Sequence, residues 1–510
     1  MKKLVNVPGL IKVDSGEIGL KTTGARVKSV THNENLNCYS VVGEIDPYDP
    51  EASIIEFQVN LPEQWNGKAI HFGGGGTDGV LVTGLYSDWL NPTVLPDVTR
   101  GYVTLGSDGG HKAKGEGTYD GSFGLNDESL RNFGHEAIKK TKDVAMAITR
   151  YAYDQNPDYV YFSGGSNGGR EGLKAIQLYP EDYDGIVCRY PVANWVGKCI
   201  NDSGNGDLME QPGHWISLEE VEKLFVLRQE VYKGYCTNEL GIVCDLEKAK
   251  EKKQEVRERA KEFLSDSQIA MLDFMEEPLK MPYELANGIT EVPGYTPWTG
   301  TVVSDTAFSL MGRIPDSRSG DMTQLGDTSI KYMIMQDEQF DPVRFDYIKY
   351  REQVQAASAI LDATDPAIDR FIERGGKIIL LHGIEDQLVT LKGTQLYFAS
   401  LVKRFGADKV DEFCKFYIIP GLGHGVGFNF SANHHYIQTL DEWVTNDVTP
   451  DEITVVDESP YCRAFIEAYL SPEGLASMKI PGNVEARTQV IRPEMISKYA
   501  EVEGDNSVSN

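Results

Sequence analysis

A serine at the centre of a glycine-rich turn restricts this chain more than any other feature of its sequence. Residues 159–162 are aromatic or β-branched, which predicts a buried strand, and residues 170–179 have the pattern of a helix. Between them, residues 164–169 read Gly-Gly-Ser-Asn-Gly-Gly. A G-x-S-x-G serine between a strand and a helix is typical of an enzymatic nucleophile, and larger side chains beside it would collide with the strand or the helix. We therefore predict that Ser166 is a catalytic nucleophile.

The length and charge of the chain narrow its class and its partners. A chain of 510 residues is too long for one simple domain and indicates a large core with one sizeable insertion. Its 49 Lys and Arg residues face 77 Asp and Glu residues, and the net charge of −28 argues against nucleic acid or an anionic membrane as partner. No stretch reaches the roughly 18 apolar residues of a membrane span. We predict a globular protein that acts on a small molecule, and its oligomeric state stays open.

The N-terminus and the cysteines indicate a reducing compartment. Pro8, Lys12 and Asp14 interrupt any apolar segment that could serve in a signal peptide. The seven cysteines are scattered and include no C-x-x-C pair, so neither a zinc site nor a redox pair is indicated. We therefore predict a cytoplasmic protein that has no metal and no cofactor.

Alternating strand and helix patterns predict an α/β fold that is built from two segments of the chain. In the first, an amphipathic helix at 127–153 precedes the serine turn and a strand at 185–188 follows it. The alternation then gives way to helical segments, and buried strands return at 376–381 and 413–419. We predict a mainly parallel, doubly wound sheet with a large inserted lid domain. The predicted parts are the first part of the core (1–196), the lid or substrate domain (197–345), the second part of the core (346–450) and a partly irregular C-terminal extension (451–510).

Two residues at the ends of the later strands complete a candidate catalytic triad. Asp386 lies just past the predicted strand 376–381, and His424 lies just past the strand 413–419. The order Ser, Asp, His is that of the α/β-hydrolase fold, and the carboxyl ends of parallel strands gather at one edge of a sheet. We predict Ser166 as nucleophile, His424 as base and Asp386 as the acid that orients the base.

Other carboxylates and histidines compete for these roles. Glu385 adjoins Asp386, and one of the two must face away; the position four residues after His382 favours Asp386. Asp108 and His111 precede the nucleophile, against the usual order, and are expected to shape the site rather than to catalyse. For the histidines of the predicted closing helix, 431–446, surface or packing roles are expected.

A run of four glycines at 73–76 follows the predicted strand 67–72. Such a loop can bind phosphate, but G-K-[ST] is absent and no G-x-G-x-x-G unit follows. In the α/β-hydrolase fold, a loop at this place supplies one N–H of the oxyanion hole, and the residue after the nucleophile supplies the other. We therefore predict that the N–H groups of Gly76 and Asn167 form an oxyanion hole; a plain tight turn is the alternative for the glycine run.

Several of these motifs occur together, and in the same order, in one known family. The chain contains GGGGTDG, GYVTLGSDGGH, YFSGGSNGGREGL, YPEDYDGIV, HGIED and PGLGHG, and over about residues 35–196 and 346–446 it resembles the tannase and feruloyl esterase family of α/β-hydrolases. That family includes the hydrolase of mono(2-hydroxyethyl) terephthalate. The resemblance implies a serine carboxylic ester hydrolase that forms an acyl-enzyme with small aromatic acid esters, such as feruloyl or galloyl esters. The positions that match its functional residues are Ser166, Asp386 and His424 for the triad, Gly76 and Asn167 for the oxyanion hole, and His382 for substrate binding in an aromatic-ester pocket.

The chain departs from the family at two places. Members of the family usually carry a cysteine before the nucleophile and another after the histidine, joined as a disulfide; here these positions are Gly165 and Gly425. The family's calcium-binding loop is not recognisable in residues 235–250, so we predict no calcium. Without the disulfide, the relative position of Ser166 and His424 must be held by packing alone.

The substrate is the least determined part of the prediction. The predicted lid contains aromatic and basic residues that could meet a substrate, and for each of them packing or a solvated surface is the alternative: Trp215, Trp298, Phe308, Arg313 and Arg318. A thioesterase, lactonase or peptidase of the same fold is an alternative function. A binding protein without catalytic activity is a further alternative, against which the complete Ser, Asp and His set argues. For His382, a structural role is the alternative to a substrate contact.

Overall fold

The computed structural model describes residues 1–85, 95–114, 119–304, 308–425, 429–457 and 487–500. The strands in this part of the chain are β1 (Lys2–Lys3), β2 (Lys12–Val13), β3 (Gly24–Asn33), β4 (Cys38–Asp46), β5 (Ile55–Pro62), β6 (Gln64–Trp65), β7 (Lys68–Phe72), β8 (Val103–Ser107), β9 (Tyr159–Gly165), β10 (Gly185–Arg189), β11 (Leu279–Lys280), β12 (Glu291–Val292), β13 (Lys377–Gly383), β14 (Cys414–Ile419), β15 (Ile453–Asp457) and β16 (Arg487–Ile491).

The α-helices are α1 (Asp127–Arg131), α2 (Ala137–Tyr153), α3 (Asn167–Leu178), α4 (Trp195–Met209), α5 (Leu218–Tyr232), α6 (Leu246–Glu251), α7 (Lys253–Ala260), α8 (Asp266–Glu276), α9 (Asp321–Thr328), α10 (Arg351–Leu361), α11 (Asp369–Glu373), α12 (Leu391–Phe405), α13 (Ala407–Phe413), α14 (Tyr436–Asn446) and α15 (Ser497–Ala500). Two segments, Asn132–Glu136 and Ser329–Ile334, are π-helical. Among the described residues, no helix is both long and apolar enough to cross a membrane.

The main sheet has ten strands in the order β14-β13-β10-β9-β7-β8-β5-β4-β3-β2. The strands from β14 to β8 pair in parallel, because helices connect most of them across the faces of the sheet. The strands from β5 to β2 pair antiparallel and extend the sheet beyond β8. The predicted mainly parallel, doubly wound α/β sheet is therefore confirmed, and the β-rich N-terminal segment forms one edge of it.

Alternation along the strands places apolar side chains on both faces of the sheet. In β13, Ile378 and Leu380 pack in one core with α2, α3 and α12, whereas Ile379 and Leu381 pack in a second core with α14. All four side chains are at most 1% exposed. A strand that is buried on both faces has the continuous apolar sequence from which β13 was predicted.

The predicted helix 127–153 is helical throughout, but its turn Asn132–Glu136 is π-helical. The fully buried Arg170 of α3 reaches this turn, and its guanidinium donates hydrogen bonds to the carbonyl oxygens of Phe133 and Gly134, each 2.8 Å away. A π-helical turn changes the regular hydrogen-bond pattern and so makes carbonyl groups available to another partner. The irregular turn thus ties this helix to the helix that follows Ser166.

The helices α4 to α9 lie in the chain between β10 and β13, which are neighbours in the sheet, and most of them share a third apolar core. The boundary predicted at residue 197 falls inside α4, a helix that the sequence did not indicate. Glycines at 197, 204 and 206 lower its helix propensity, but Gly206 permits close packing because a Cβ there would lie 2.3 Å from the Thr323 side chain of α9. Tertiary packing therefore outweighs propensity in α4.

In the C-terminal extension, β15 and β16 form a separate antiparallel pair. The sequence predicted this part as partly irregular, and these two short strands were not singled out. The remainder of the predicted extension, residues 458–486 and 501–510, lies outside the described residues.

Candidate active site

Ser166 lies at the sharp turn between β9 and α3. Its backbone has φ 59° and ψ −122°, a conformation that is unfavourable for a residue with a side chain. The turn is tight because Gly164 and Gly168 meet: a Cβ on Gly164 would lie 2.4 Å from the backbone of Gly168. The amide of Ser166 donates a hydrogen bond to the carbonyl oxygen of Arg189, 3.0 Å away at the end of β10. The predicted strand, turn and helix around Ser166 are thus all present.

Asp386 and His424 form a hydrogen-bonded pair beyond the carboxyl ends of β13 and β14. The Nδ1 atom of His424 lies 2.9 Å from Oδ2 of Asp386 and 3.1 Å from Oδ1. The loops that carry them are also joined, since the amide of Glu385 donates to the carbonyl oxygen of Leu422 (2.9 Å) and the amide of His424 to the side chain of Gln387 (3.2 Å). With the Nδ1 proton donated to Asp386, the Nε2 atom of His424 carries the lone pair that can accept a proton.

The surroundings of Asp386 and Glu385 separate the two competing carboxylates. Burial alone would raise the pKa of Asp386. The proximity of His424 and the hydrogen bonds with His382 and His424 outweigh burial and hold this pKa well below its ordinary value. The carboxylate also accepts hydrogen bonds from the amides of Leu388 and Val389. Burial raises the pKa of Glu385 to about 7, a rise that Arg228 only partly opposes. Asp386 is therefore the ionised partner of His424.

His382 does not present an atom to a ligand in this structure, contrary to the expectation that it lines a substrate pocket. The residue is 0% exposed. Its Nδ1 lies 2.8 Å from Oγ1 of Thr394, and its Nε2 lies 3.0 Å from the carbonyl oxygen of Val389 and 3.3 Å from Oδ2 of Asp386. Its position four residues before Asp386 brings it against the carboxylate rather than into a cleft, so its contacts are those of a residue that orients Asp386.

The glycine run lies directly against the start of α3. The amide of Gly168 donates to the carbonyl oxygen of Gly74 (3.1 Å), and the amide of Gly74 donates to Oε2 of Glu171 (3.1 Å). Gly76 has φ 57°, the left-handed region in which glycine carries no steric cost. The N–H of Asn167 belongs to the first turn of α3 and has no acceptor within the helix. The two predicted N–H groups are thus carried by neighbouring segments, with the loop fixed to the helix that follows Ser166.

A pair of buried carboxyl groups lies between this loop and α3. Asp78 and Glu171 are hydrogen-bonded partners, and Asn167 donates its side-chain amide to Oδ2 of Asp78 at 3.0 Å. Burial and the neighbouring Glu171 raise the pKa of Asp78 well above its ordinary value. Burial also raises the pKa of Glu171, and the hydrogen bond between the two carboxyls favours a proton on Asp78, although Arg170 lowers the pKa of both. Both residues lie within motifs quoted above, GGGGTDG and YFSGGSNGGREGL, but no sequence pattern connects the two, so the pair was missed in the sequence.

Asp108 and His111 take part in the packing of the loop that follows β8. The ring of His111 is 2% exposed and stacks on Phe123 with 3.8 Å between ring centroids, and burial lowers its pKa to about 4. Oδ1 of Asp108 accepts a hydrogen bond from the amide of Gly110 at 3.0 Å. These contacts agree with the structural role expected for both residues.

Phe308, far along the segment between β10 and β13, reaches the histidine. The ring of Phe308 stands edge-on to that of His424, with 6.2 Å between ring centroids. By contrast, the indole of Trp298 is fully buried and donates to Asp273, and Arg318 is paired with Asp207 and Asp327. The sequence could not separate Phe308 from the other aromatic and basic residues of this segment, because nothing in its periodicity marks a contact with a residue more than a hundred positions away.

The residues at the place of the family's calcium loop do not fit a calcium ion. Asp245 caps α6 by accepting from the amide of Lys248, and Glu247 is paired with Lys250. Within the described residues, no group of three or more His, Cys, Asp and Glu side chains is placed to hold a metal ion.

A mainly parallel sheet with a serine at the turn after β9 and a His–Asp pair beyond β13 and β14 is the architecture of an α/β-hydrolase. Solved structures have the same fold. An esterase from Aspergillus oryzae superposes with a TM-score of 0.69 at 20% sequence identity, covering 87% of this chain and 90% of that one. A tannin acyl hydrolase from Aspergillus niger superposes with a TM-score of 0.65 at 16% identity, covering 92% and 87%.

Sequence comparison gives the family. The chain matches "Tannase and feruloyl esterase" over residues 39–491, and it belongs to this family of carboxylic ester hydrolases. It is 35% identical over 476 residues to an uncharacterized esterase of Agrobacterium fabrum, covering 87% of this chain and 84% of that protein. A probable feruloyl esterase B-1 of Aspergillus flavus is 24% identical over 430 residues, covering 79% and 76%. The resemblance seen in the motifs is thereby confirmed.

Proposed function

We propose that this carboxylic ester hydrolase cleaves esters of small aromatic acids, with Ser166 as nucleophile, His424 as base and Asp386 as the acid that orients it. The observation that carries the proposal is the contact of 2.9 Å between Nδ1 of His424 and Oδ2 of Asp386, at the sheet edge to which the turn of Ser166 also belongs. This contact leaves Nε2 of His424 as the proton acceptor.

The reaction then takes two steps. His424 Nε2 removes the proton of the Ser166 hydroxyl while Oγ forms a bond to the ester carbonyl carbon. The carbonyl oxygen becomes an oxyanion, which accepts hydrogen bonds from the N–H groups of Gly76 and Asn167. The bond to the alcohol oxygen breaks, the imidazolium gives its proton to the leaving alcohol, and Ser166 is left acylated. A water molecule, deprotonated by His424, releases the acid and restores the serine.

The aromatic substrate class is supported by the relatives and by one contact. The relatives named above include a probable feruloyl esterase and a tannin acyl hydrolase. In this chain, Phe308 brings an aromatic ring to the triad histidine from the segment between β10 and β13. We therefore propose that this segment acts as a lid and that Phe308 forms part of the wall that meets the acyl ring.

Hydrolysis of methyl ferulate and methyl gallate by the purified protein, beside acyl-CoA and peptide substrates, tests the substrate class. Turnover of the aromatic esters is expected, and turnover of thioesters or peptides alone would assign the chain another acyl substrate. Absence of turnover on all of them would favour a binding protein.

The catalytic roles have their own test. A fluorophosphonate probe is expected to label the wild-type protein and not Ser166→Ala, and both Ser166→Ala and His424→Ala should lose several orders of magnitude in kcat. Near-normal turnover in either variant would overturn the assignment.

A further inference from the structure

Tyr190 lies between the nucleophile turn and the candidate base. It follows β10 directly, and its ring is 6% exposed. The centroid of the ring is 4.5 Å from that of His424, at an interplanar angle of 53°, and 6.4 Å from that of His382. Within the described part of the chain, the ring of Tyr190 is nearer to His424 than that of Phe308.

The same ring also lies against Gly165, the residue before Ser166. A Cβ on Gly165 would lie 2.8 Å from Cε2 of Tyr190, 3.0 Å from its Oη and 3.1 Å from its Cζ, and these are the nearest atoms that it would meet. Gly165 is not among the glycines with positive φ, so its own backbone would tolerate a side chain. The ring of Tyr190 is thus what requires glycine at position 165.

The backbone of Tyr190 is held in a conformation that tyrosine rarely adopts. Its φ is 36°, and its amide donates a hydrogen bond of 2.7 Å to the carbonyl oxygen of Leu381 in β13. Two residues further on, the amide of Val192 donates to the carbonyl oxygen of Ser166 at 3.2 Å. An unfavourable backbone conformation persists only where the surroundings enforce it, and here they fix the ring between two strand ends.

His424 needs such a support because its own segment is rich in glycine. The residue lies in the sequence Gly-Leu-Gly-His-Gly, in which Gly421 has φ 78° and Gly425 has φ 81°. The contact with Asp386 fixes only the Nδ1 edge of the imidazole, about which the ring can still swing. The ring of Tyr190, tilted by 53° with its centroid 4.5 Å from that of the imidazole, restricts this movement, and an aromatic ring at this distance also attracts the imidazolium that forms during catalysis.

We propose that Tyr190 is a positioning residue that holds the imidazole of His424 against the nucleophile turn by filling the space beside Gly165. The inference rests on the proposed function of Ser166 and His424. In this role Tyr190 acts through His424. The ring also leaves no room for a side chain at position 165. Packing of Tyr190 and a disulfide from a cysteine at position 165 are therefore alternative ways to hold His424 near Ser166.

A truncation at Tyr190 separates positioning from stability. In Tyr190→Ala, the kcat for methyl ferulate is expected to fall about 10- to 100-fold with KM changed less than about threefold, because the base is misplaced while the binding cleft is kept. Tyr190→Phe keeps the ring and should stay within about threefold of wild type. Tyr153→Ala, which removes a tyrosine that is 2% exposed and stacks on Trp65 instead, is the matched control: it should lower Tm comparably and leave kcat unchanged. Unchanged kcat in Tyr190→Ala would overturn the proposal.

A double-mutant cycle with Gly165 tests the contact itself. Gly165→Ala should lower kcat by displacing the ring, and the addition of Tyr190→Ala should cause no further loss, since both changes remove the same support. Strictly additive losses, or a Gly165→Ala variant with wild-type kcat, would contradict the proposal.

The rate of labelling by a fluorophosphonate, measured for each variant, separates this inference from the function on which it rests. Labelling of wild type with slower labelling of Tyr190→Ala supports both. Equal rates would overturn the role of Tyr190 alone, and a wild-type protein that is not labelled would overturn the proposed function and this inference together.

Discussion

Asp386 and Glu385 are neighbours in the sequence, and both are buried, yet their environments shift their pKa values in opposite directions. Asp386 accepts hydrogen bonds from the amides of Leu388 and Val389 and contacts two histidines, whereas the charge of Arg228 and the hydrogen bonds from Asn429 do not outweigh the burial of Glu385. The ionised state of each carboxyl thus follows from its hydrogen-bond donors rather than from its exposure.

We expect Asp386→Asn to lower kcat by about 10³- to 10⁴-fold, because an amide cannot hold His424 in the tautomer that accepts the serine proton. Glu385→Gln is the matched control one position away and should retain kcat within a few-fold. Steady-state kinetics on methyl ferulate measures both. A larger loss in Glu385→Gln than in Asp386→Asn would exchange the two roles.

Glu385 also predicts a pH dependence of stability. Its pKa is raised in the folded protein from 4.5 to about 7, so its contribution is fully present below pH 4.5 and is lost as the pH rises towards about 7. The loss amounts to about 3 kcal/mol, at about 1.4 kcal/mol for each pKa unit. Urea unfolding of wild type and Glu385→Gln at pH 5 and pH 8 tests this. The free energy of unfolding of wild type, relative to that of the variant, should be lower at pH 8 than at pH 5.

Because the other buried carboxyl groups are present in both proteins, the difference between wild type and Glu385→Gln reports the titration of Glu385 alone. A difference in unfolding free energy that does not change with pH would show that Glu385 is ionised in the folded protein throughout.

At the scale of elements, the glycine run after β7 and the start of α3 behave as one unit. The amide contacts of Gly74 and Gly168 join them, and the buried Asp78 and Glu171 hold the two segments together through Gly74 and Asn167. We expect the unit to depend on a neutral Asp78, since a second charge beside Glu171 would push the loop away from the helix.

Asp78→Ala is expected to lower kcat by about 10²-fold, the cost of a displaced oxyanion donor. Asp78→Asn should stay near wild type at neutral pH, because its amide can donate to Glu171 and its oxygen can accept from Asn167. As the pH rises through the raised pKa of Asp78, wild type should lose kcat and Asp78→Asn should not. A pH–rate profile of the three proteins measures this, and identical alkaline limbs in wild type and Asp78→Asn would exclude a neutral Asp78.

Across the whole molecule, the segment between β10 and β13 meets the core at the edge that carries the candidate site. The amide of Val302 donates to the carbonyl oxygen of Glu385 at 3.1 Å, and Phe308 reaches His424. Residues far apart in the chain thus line one place, as expected where the ends of parallel strands meet an insertion.

Phe308→Ala should reduce kcat/KM for methyl ferulate by about 3- to 10-fold and leave an aliphatic ester such as ethyl butanoate nearly unchanged, because one aromatic contact is worth about 0.5–1.5 kcal/mol. Phe274 is 44% exposed on α8 of the same segment, so Phe274→Ala is the matched control and should change kcat/KM for neither ester. Equal losses on both esters in Phe308→Ala would remove Phe308 from the acyl site.

The sequence predicted the strands, the serine turn and the order of the candidate triad because these depend on local patterns and on the rule that parallel strand ends converge. It did not predict α4, in which glycines obscure the helical pattern but allow close packing. Nor did it reveal Tyr190, Phe308 or the Asp78–Glu171 pair, whose importance lies in contacts between distant segments. For His382, spacing alone could not distinguish a contact with the acid from a contact with a ligand. The cytoplasmic location stays a prediction.

The topology has a consequence for the order in which the protein is synthesised. The chain from β2 to β10 carries the turn of Ser166 and the glycine run, while β13 and β14, with Asp386 and His424, come only after the long intervening segment. A nascent or truncated chain that ends before β13 has the candidate nucleophile without the candidate base. It also leaves β10 as an open strand edge, with unpaired N–H and C=O groups that favour association with other chains. The complete candidate site and the covered edge of β10 are therefore reached at the same late stage of translation.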